Sequence, residues 1–252
     1  MEDDKASDGK SAGKEAIRKI SRGRLWLFRI VSLTIFPLLF FLIVEAGLRI
    51  FNFGYPTSFT VPCEVKGEKA YCSNDKYTWQ FFPPELARTP IPFAIPEKKP
   101  PPTYRIFILG ASAAQGDPMP SFGFSRILQV MLKDRYPEVS FEVVNTAVTA
   151  VNSHVVLDIA RDLTGHQPDM FIVYLGNNEV VGPYGAGTVF TPLSPNLYTI
   201  RTGIFFKSTR VGQLIRKMMK STAKERGLPK EWKGMEMFLG QQVRADAPGL
   251  SK

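Results

Sequence analysis

The strongest indication of the fold is the stretch Arg105-Ile-Phe-Ile-Leu-Gly-Ala-Ser-Ala-Ala-Gln-Gly116. It opens with a short apolar run that ends at a glycine, which predicts a buried strand followed by a tight turn into a helix. Two further apolar runs, 141–145 and 170–175, have the same character. Between these runs, segments 122–136 and 152–163 carry apolar residues at helical spacing. The alternation predicts an α/β domain built on a β-α-β-α-β unit with parallel strands.

Polar side chains follow the carboxyl end of each predicted strand, where ligands bind in parallel sheets. The first such stretch, 110–116, does not match a phosphate-binding loop, because Asp117 and Pro118 stand where Lys-Ser/Thr is required. A dinucleotide-binding fingerprint also fails, because the glycine spacing is wrong and the second strand ends in Asn145 rather than an acidic residue. Two alternatives remain. Ser112 is a nucleophile whose own N–H faces a developing oxyanion, or the turn is small-residue packing only.

Three short blocks, each at a predicted strand end, resemble the first three blocks of SGNH (GDSL-type) hydrolases. They are Gly110-Ala-Ser112-x-x-x-Gly116, Asn145-Thr-Ala147 and Gly176-Asn-Asn178-Glu179. The resemblance implies a flavodoxin-like three-layer α/β/α fold and an esterase, acyl hydrolase or acyl transferase that needs no metal or other cofactor. It also implies that Ser112 is the nucleophile, and that the Asn178 amide and the Ala147 N–H stabilise the oxyanion. The run 174–190 is similar to a membrane-anchored bacterial subgroup in which tetratricopeptide repeats sometimes follow the hydrolase domain.

The chain departs from the family pattern at several positions. Ala111 stands where the family usually has Asp, Ala147 replaces a glycine, and Glu179 replaces the usual Asp. The Asp-x-x-His block, which supplies the family's general base, has no counterpart after Phe190. We therefore also consider a second interpretation, in which the chain is a catalytically degenerate scaffold or carbohydrate-binding module on the same fold.

The chain has two histidines, His154 and His166. His154 follows the second strand and is a candidate base for Ser112, although a solvent-facing residue at a helix start is the simpler interpretation. His166 precedes the third strand, at the opposite edge of the sheet, and is not expected to reach Ser112. Because three strands leave a flavodoxin-like sheet incomplete, we expect the chain to be a piece of a longer protein.

Residues 25–53 form an apolar segment long enough to cross a bilayer, with Arg29 able to extend to the interface. The alternatives are a buried helix of a soluble domain and a cleaved signal peptide. The tail before it, residues 1–24, is polar and predicted to be disordered. Its excess of lysine and arginine predicts a cytoplasmic N-terminus and a periplasmic or extracellular main domain. We expect a single-pass protein of the cytoplasmic (inner) membrane.

Between the apolar segment and the α/β domain, residues 54–103 hold both cysteines and many prolines. Their composition predicts an extended spacer. On the exported side, Cys63 and Cys72 are expected to close a short disulfide loop, the alternative being two free thiols. The assigned regions are thus the tail, the membrane helix, this spacer, an SGNH-like domain at 104–190 and a basic helical region at 191–252.

Composition narrows the classes of partner. The chain has 252 residues, 44% of them hydrophobic, and a net charge of +9, which excludes wholesale disorder, collagen-like repeats and a polytopic membrane protein. Two cysteines are too few for a disulfide-built fold or a Cys-only zinc site. The charge is concentrated before residue 30 and between residues 201 and 233, which favours anionic lipid over nucleic acid. The alternative for the second stretch is a charged face exposed to solvent. The expected partners are the bilayer, an ester-bearing glycan or lipid, and proteins bound through a continuation of the chain.

Overall fold

The computed structural model describes residues 21–185, 188 and 196–222. These fall in two compact units, the first ending at Gly47 and the second beginning at Leu48. Most of the predicted tail lies outside the described residues. The same holds for the basic region 191–252 apart from residues 196–222.

Helix α1, Arg22–Ile50, contains 29 residues and continues through Pro37. At about 1.5 Å per residue it is longer than the hydrocarbon core of a bilayer. Its large apolar side chains are exposed along its length, as at Leu33, Phe36 and Phe40. The helix is therefore long and apolar enough to span a membrane, as the sequence predicts.

A small antiparallel sheet follows, with strand order β1-β2-β3. Its strands are β1 (Thr60–Val65), β2 (Glu68–Ser73) and β3 (Ala94–Pro96). A disulfide joins Cys63 of β1 to Cys72 of β2, with the two Cα atoms 5.8 Å apart. This confirms the predicted pairing of the two cysteines.

The structure differs from the expectation of an extended spacer at 54–103. Residues of this segment, including Phe59, Tyr77, Phe82 and Ile95, are buried in the same hydrophobic cluster as residues of the α/β domain. Pro62 lies within β1 and Pro96 ends β3, and the other prolines of the segment lie outside its three strands. They do not prevent its aromatic side chains from packing against the α/β domain. The segment is thus an integral part of the second unit.

The central sheet is parallel and has the strand order β5-β4-β6. Its strands are β4 (Thr103–Gly110), β5 (Ser140–Asn145) and β6 (Met170–Tyr174). The connections carry α2 (Ser112–Gln115), α3 (Phe124–Arg135) and α4 (Ser153–Leu163). The predicted β-α-β-α-β unit is confirmed.

Alternate residues of β4 belong to two hydrophobic clusters. Ile106 and Ile108 share one cluster with Leu128 and other side chains of α3. Phe107 and Leu109 share the other with side chains of α4. Because successive side chains of a strand point to opposite faces, both faces of β4 are covered.

Two further helices complete the described chain, α5 (Leu197–Ser208) and α6 (Arg210–Thr222). The side chain of Asn196 accepts a hydrogen bond from the Thr199 N–H, 2.9 Å away, and so caps the start of α5. Ile200 and Ile204 anchor α5 in the larger hydrophobic cluster. Helix α6 lies in the region 191–252, which the sequence predicts to be basic and helical.

Candidate active site

Ser112 is the first residue of α2, directly after the carboxyl end of β4. Its side chain is half-buried, and within the described residues its hydroxyl has no hydrogen-bond partner. Its backbone carbonyl accepts the N–H groups of Gly116 and Asp117, at 2.9 and 3.0 Å, which closes the short helix. The N–H of a residue at a helix start has no intrahelical acceptor. Ser112 therefore presents both an unpartnered hydroxyl and a backbone donor at the end of the sheet.

Gly110 makes this turn possible, because a Cβ atom there would lie 2.1 Å from the Tyr174 carbonyl oxygen and 2.5 Å from the Ala114 Cβ. Real side chains do not tolerate such distances. The backbones of β4 and β6 therefore approach each other closely just before Ser112. Packing alone therefore requires glycine at position 110, the first position of this sequence block.

The end of β5 is tied to α2 by Asn145. Its amide nitrogen lies 3.2 Å from the carbonyl oxygens of both Ala114 and Gln115, and 2.9 Å from the Ser125 hydroxyl. Its side-chain oxygen accepts the backbone N–H of Ala147 at 3.2 Å. Ala147 itself is fully buried.

The arrangement around Asn145 bears on the expected role of Ala147. A backbone nitrogen carries a single hydrogen, and in this structure the Ala147 N–H donates to Asn145. The Ala147 N–H is therefore not a free oxyanion donor here. It becomes one only if the Asn145 side chain releases it. The sequence block contains both residues, but it does not show that the Asn145 side chain accepts the Ala147 N–H.

Asn178 is buried, and its amide nitrogen donates to the carbonyl oxygen of Val151 at 3.1 Å. A primary amide has two hydrogens, so this bond leaves one for another acceptor. The backbone carbonyl oxygen of Asn178 accepts the Gly182 N–H at 2.7 Å, and this bond holds Asn178 in a tight turn after β6. Within the described residues no hydrogen bond joins Asn178 to Ser112.

Glu179 holds the start of α4. Its carboxylate accepts the backbone N–H of Ser153 at 2.9 Å and the Ser153 hydroxyl at 2.6 Å. A negative charge at a helix N-terminus is favourable, because it satisfies an unpaired N–H and interacts with the helix dipole. In the sequence, Glu179 is recognisable only as a departure from the family pattern. The longer side chain instead links the third block to the helix that follows the second.

We expect Glu179→Ala to lower the free energy of unfolding by about 1 kcal/mol, because the start of α4 loses its capping acceptor. Urea unfolding of the detergent-solubilised chain, followed by circular dichroism, measures the change. Glu138→Ala is the matched control, since Glu138 is also exposed, and it should change the free energy by less than about 0.5 kcal/mol. Equal effects of the two variants would contradict the capping role.

Three polar residues near Ser112 are not predicted from the sequence as site residues. The Thr149 hydroxyl is buried and lies within hydrogen-bond distance of Gln115 Oε1 and, at 3.2 Å, Asp117 Oδ2. Gln115 and Asp117 flank Gly116, so their closeness to Ser112 along the chain could have identified them as site residues. Thr149 is recognisable only once the fold brings the loop after β5 beside α2.

Asn152, which precedes α4, leaves one buried polar atom without a partner. Its amide nitrogen donates to the carbonyl oxygen of Pro183 at 2.8 Å, while its side-chain oxygen has no hydrogen-bond partner in the part of the chain that the structure describes. The side chain is fully buried, next to Gly182. Asn152 thus joins the second and third polar loops, as Glu179 does from the exposed side.

His154 lies on α4 beside Tyr184, with the two rings 6.2 Å apart and nearly perpendicular. Burial lowers the pKa of His154, and the charge of Arg201 lowers it further, while Glu179 and Asp158 oppose this. The imidazole is therefore neutral at pH 7, as a general base must be. Within the described residues no hydrogen bond joins His154 to Ser112, so a catalytic role for His154 stays a prediction.

His166 lies among residues at the amino ends of the strands. Its ring nitrogen Nε2 is 2.9 Å from the Thr60 hydroxyl, and its carbonyl oxygen accepts a bond from Arg105 at 2.6 Å. Burial is the main cause of its lowered pKa. These contacts agree with the expectation that His166 does not serve Ser112.

Lys207 of α5 is a second titratable group that sequence analysis misses. Its Nζ lies 2.8 Å from the Tyr184 hydroxyl. Burial, with a contribution from the charge of Arg216, lowers the pKa of Lys207 to about 8. Burial also raises the pKa of Tyr184 to about 12. At pH 7 the ammonium therefore faces a neutral phenol.

Among the described residues, no group of three or more His, Cys, Asp or Glu side chains is arranged to hold a metal ion. No known family model, curated protein or solved structure matches the chain. The likeness to SGNH hydrolases therefore rests on the three sequence blocks. What the structure adds is that these blocks lie at the ends of neighbouring parallel strands.

Proposed function

We propose that this chain carries a membrane-anchored serine esterase or acyl transferase of the SGNH type, with Ser112 as the nucleophile. The observation that carries the proposal is the position of Ser112. It is half-buried at a strand-to-helix turn, with a hydroxyl that has no hydrogen-bond partner among the described residues. Nucleophilic serines need such a position, because the hydroxyl must reach a carbonyl carbon while nearby N–H groups face its oxygen.

In the proposed reaction, Ser112 Oγ attacks the carbonyl carbon of an ester, and the bond to the alcohol oxygen breaks. The serine proton passes to a base and then to the departing alcohol. Water, or a second alcohol, then releases the acyl group from the serine. The Ser112 N–H and the second hydrogen of the Asn178 amide are the proposed oxyanion donors, each worth about 3–4 kcal/mol of the barrier.

The Ala147 N–H joins these donors only if Asn145 rotates away from it. A substrate oxyanion in the site would compete with the Asn145 side-chain oxygen as the acceptor for the Ala147 N–H. Among the described residues none forms a hydrogen bond with the Ser112 hydroxyl, so no direct contact identifies the base. His154 is neutral at pH 7 and is the candidate that the sequence provides.

We also infer the finer features of the architecture. The clusters on the two faces of β4, one with α3 and one with α4, support a flavodoxin-like three-layer arrangement. The basic residues before α1 support a cytoplasmic N-terminus, and the Cys63–Cys72 disulfide supports an oxidising compartment for the second unit. The ester substrate, a glycan or a lipid, would then lie outside the cytoplasmic membrane.

Labelling with a fluorophosphonate probe tests the nucleophile. We expect the full chain in detergent to form a covalent adduct at Ser112, and Ser112→Ala to abolish it. Ser121→Ala is the matched control, because Ser121 is an exposed serine of the same connection and should leave labelling unchanged. An absence of label above the Ser112→Ala background, in a folded wild-type chain, would refute the hydrolase.

A second candidate function is a non-catalytic binding module on the same fold. The observation that favours it is that two of the three predicted oxyanion donors, the Ala147 N–H and the Asn178 amide, already bond to protein oxygens. A folded chain that takes no label but retains an acylated glycan on an affinity column would support this alternative.

A further inference from the structure

A cleft of about 690 Å³ opens in the second unit, and none of the residues discussed above as parts of the candidate active site line it. Its apolar wall includes Leu48, Phe51 and Phe53, which belong to the last turn of α1 and the residues directly after it. Trp79 forms another part of the wall. The volume is within the range of small-molecule sites, which are typically about 300–1,000 Å³. The cleft is therefore large enough for a small-molecule ligand rather than a single ion.

The walls of the cleft are held by specific contacts. Gln213 of α6 accepts the Tyr55 N–H at 2.9 Å and donates to the Tyr55 carbonyl at 3.1 Å. A Cβ atom on Gly54 would lie 2.2 Å from the Gln213 side-chain oxygen, so the chain passes very close to α6 here. The ring of Tyr55 packs edge-on against Trp79, with the ring centres 5.4 Å apart. The cleft is thus a preformed feature of the second unit.

Two basic side chains of α6, Arg216 and Lys217, line the cleft. Arg216 donates to the carbonyl oxygens of Trp79 and Phe82, which fixes the guanidinium in place. Lys217 is exposed and holds its ammonium 5.6 Å from the centre of the Phe53 ring. Within the described residues neither cation is paired with a carboxylate. The cleft therefore combines an apolar wall with two positive charges that lack a counter-anion.

The position of the cleft along the chain indicates what fills it. Leu48 lies in the last turn of the helix that we propose crosses the membrane, and Phe51 follows the end of that helix by one residue. Ile50 and Phe51 are 76% and 85% exposed, which is costly in water and favourable at a membrane surface. Tryptophan and tyrosine, as at Trp79 and Tyr55, are enriched at that depth.

We propose that the cleft binds one anionic phospholipid from the outer surface of the membrane in which α1 sits. An acyl chain lies against Phe51, Phe53 and Trp79, and the phosphate is held by Lys217 and Arg216. A phospholipid is the occupant that matches both halves of the cleft, since a free phosphate leaves the apolar wall uncovered. The site rests on the membrane insertion of α1 and is independent of chemistry at Ser112.

Native mass spectrometry of the detergent-solubilised full chain tests the site, in the Ser112→Ala background so that acyl transfer plays no part. We expect one phosphatidylglycerol to remain bound under conditions that remove phosphatidylcholine of the same acyl chains. Lys217→Glu should weaken retention of phosphatidylglycerol by at least about fivefold, from the worth of one basic residue near an anionic lipid. Among the described residues the Lys217 side chain makes no hydrogen bond, so this substitution is not expected to disturb folding.

Lys133→Glu is the matched control. Lys133 is an exposed lysine of α3, so this variant changes the net charge by the same amount at a site away from the cleft. It should leave lipid retention unchanged. A phosphatidylglycerol with a photoreactive group in its acyl chain should attach to peptides that contain residues 48–55 and 79–84. Equal retention of the two lipids, equal effects of the two variants, or attachment elsewhere would each overturn the proposal.

Discussion

Gly110→Ala is expected to lower the free energy of unfolding by at least about 3 kcal/mol, one of the two largest stability effects predicted for this chain. The new Cβ atom would meet the Tyr174 carbonyl oxygen at 2.1 Å and the Ala114 Cβ at 2.5 Å. The first of these is backbone of the neighbouring strand and has no rotamer to move to. The clash is relieved only by separating β4 from β6, which breaks part of the ladder between them. Urea unfolding of the detergent-solubilised chain measures the loss.

Gly203→Ala is the matched control for this substitution. Gly203 lies inside α5, and a Cβ atom there would have no heavy atom of the described residues within 4 Å, apart from its own helix backbone and chain neighbours. Alanine is favoured over glycine in a helix by about 0.5–1 kcal/mol, so this variant should be slightly more stable than the wild type. Because the two substitutions are chemically identical, opposite signs isolate the contribution of the site. A Gly110→Ala chain within 1 kcal/mol of the wild type would contradict the close approach of the two strands.

The elements of the central sheet can be predicted from the sequence because each has a local signal. The apolar runs at 105–109, 141–145 and 170–175 match β4, β5 and β6 to within two residues at each end. Pro137, just beyond α3, and Asn152, which precedes α4, mark helix ends. The parallel direction follows because each connection contains a helix.

The role of residues 54–103 cannot be predicted in the same way. Prolines and short runs suggest a spacer when the segment is read locally. The structure shows that Phe59, Phe82 and Ile95 are fully buried in the cluster of the α/β domain. Those contacts join residues far apart in sequence, for which a single sequence gives no periodic signal. A high content of aromatic residues between the prolines is the one local hint.

The candidate site divides in a similar way. The position of Ser112 is predictable, because it depends on a strand, a glycine and a turn that are adjacent in sequence. The state of its expected partners is not, because it depends on side-chain contacts. Asn145 takes up the Ala147 N–H, and Val151 accepts from the Asn178 amide. Both are bonds between a side chain and the backbone of a loop, and such competition appears only when the loops are in place.

The second large effect is expected at Arg105, which is 1% exposed in the middle of the second unit. Its Nε donates to the Glu142 carboxylate and its Nη1 donates to the His166 carbonyl oxygen, at 2.5 and 2.6 Å. Its Nη2 is buried and has no hydrogen-bond partner among the described residues. The guanidinium thus joins β4 to β5 and to the turn before β6 at the cost of one unsatisfied donor. Removing the side chain leaves a cavity, an unpaired carboxylate and an unpaired carbonyl group.

We expect Arg105→Ala to lower the free energy of unfolding by about 3 kcal/mol, because it removes a fully buried side chain and leaves the partly buried Glu142 carboxylate without its cation. The double variant Arg105→Met, Glu142→Gln removes both charges and keeps most of the volume. It should therefore lie within about 1–2 kcal/mol of the wild type. Urea unfolding of both variants separates the cost of the unpaired Glu142 carboxylate from the cost of the lost hydrogen bond to the His166 carbonyl oxygen. If the double variant is as unstable as Arg105→Ala, the hydrogen bond to His166 is the main contribution of Arg105, and the ion pair with Glu142 is not.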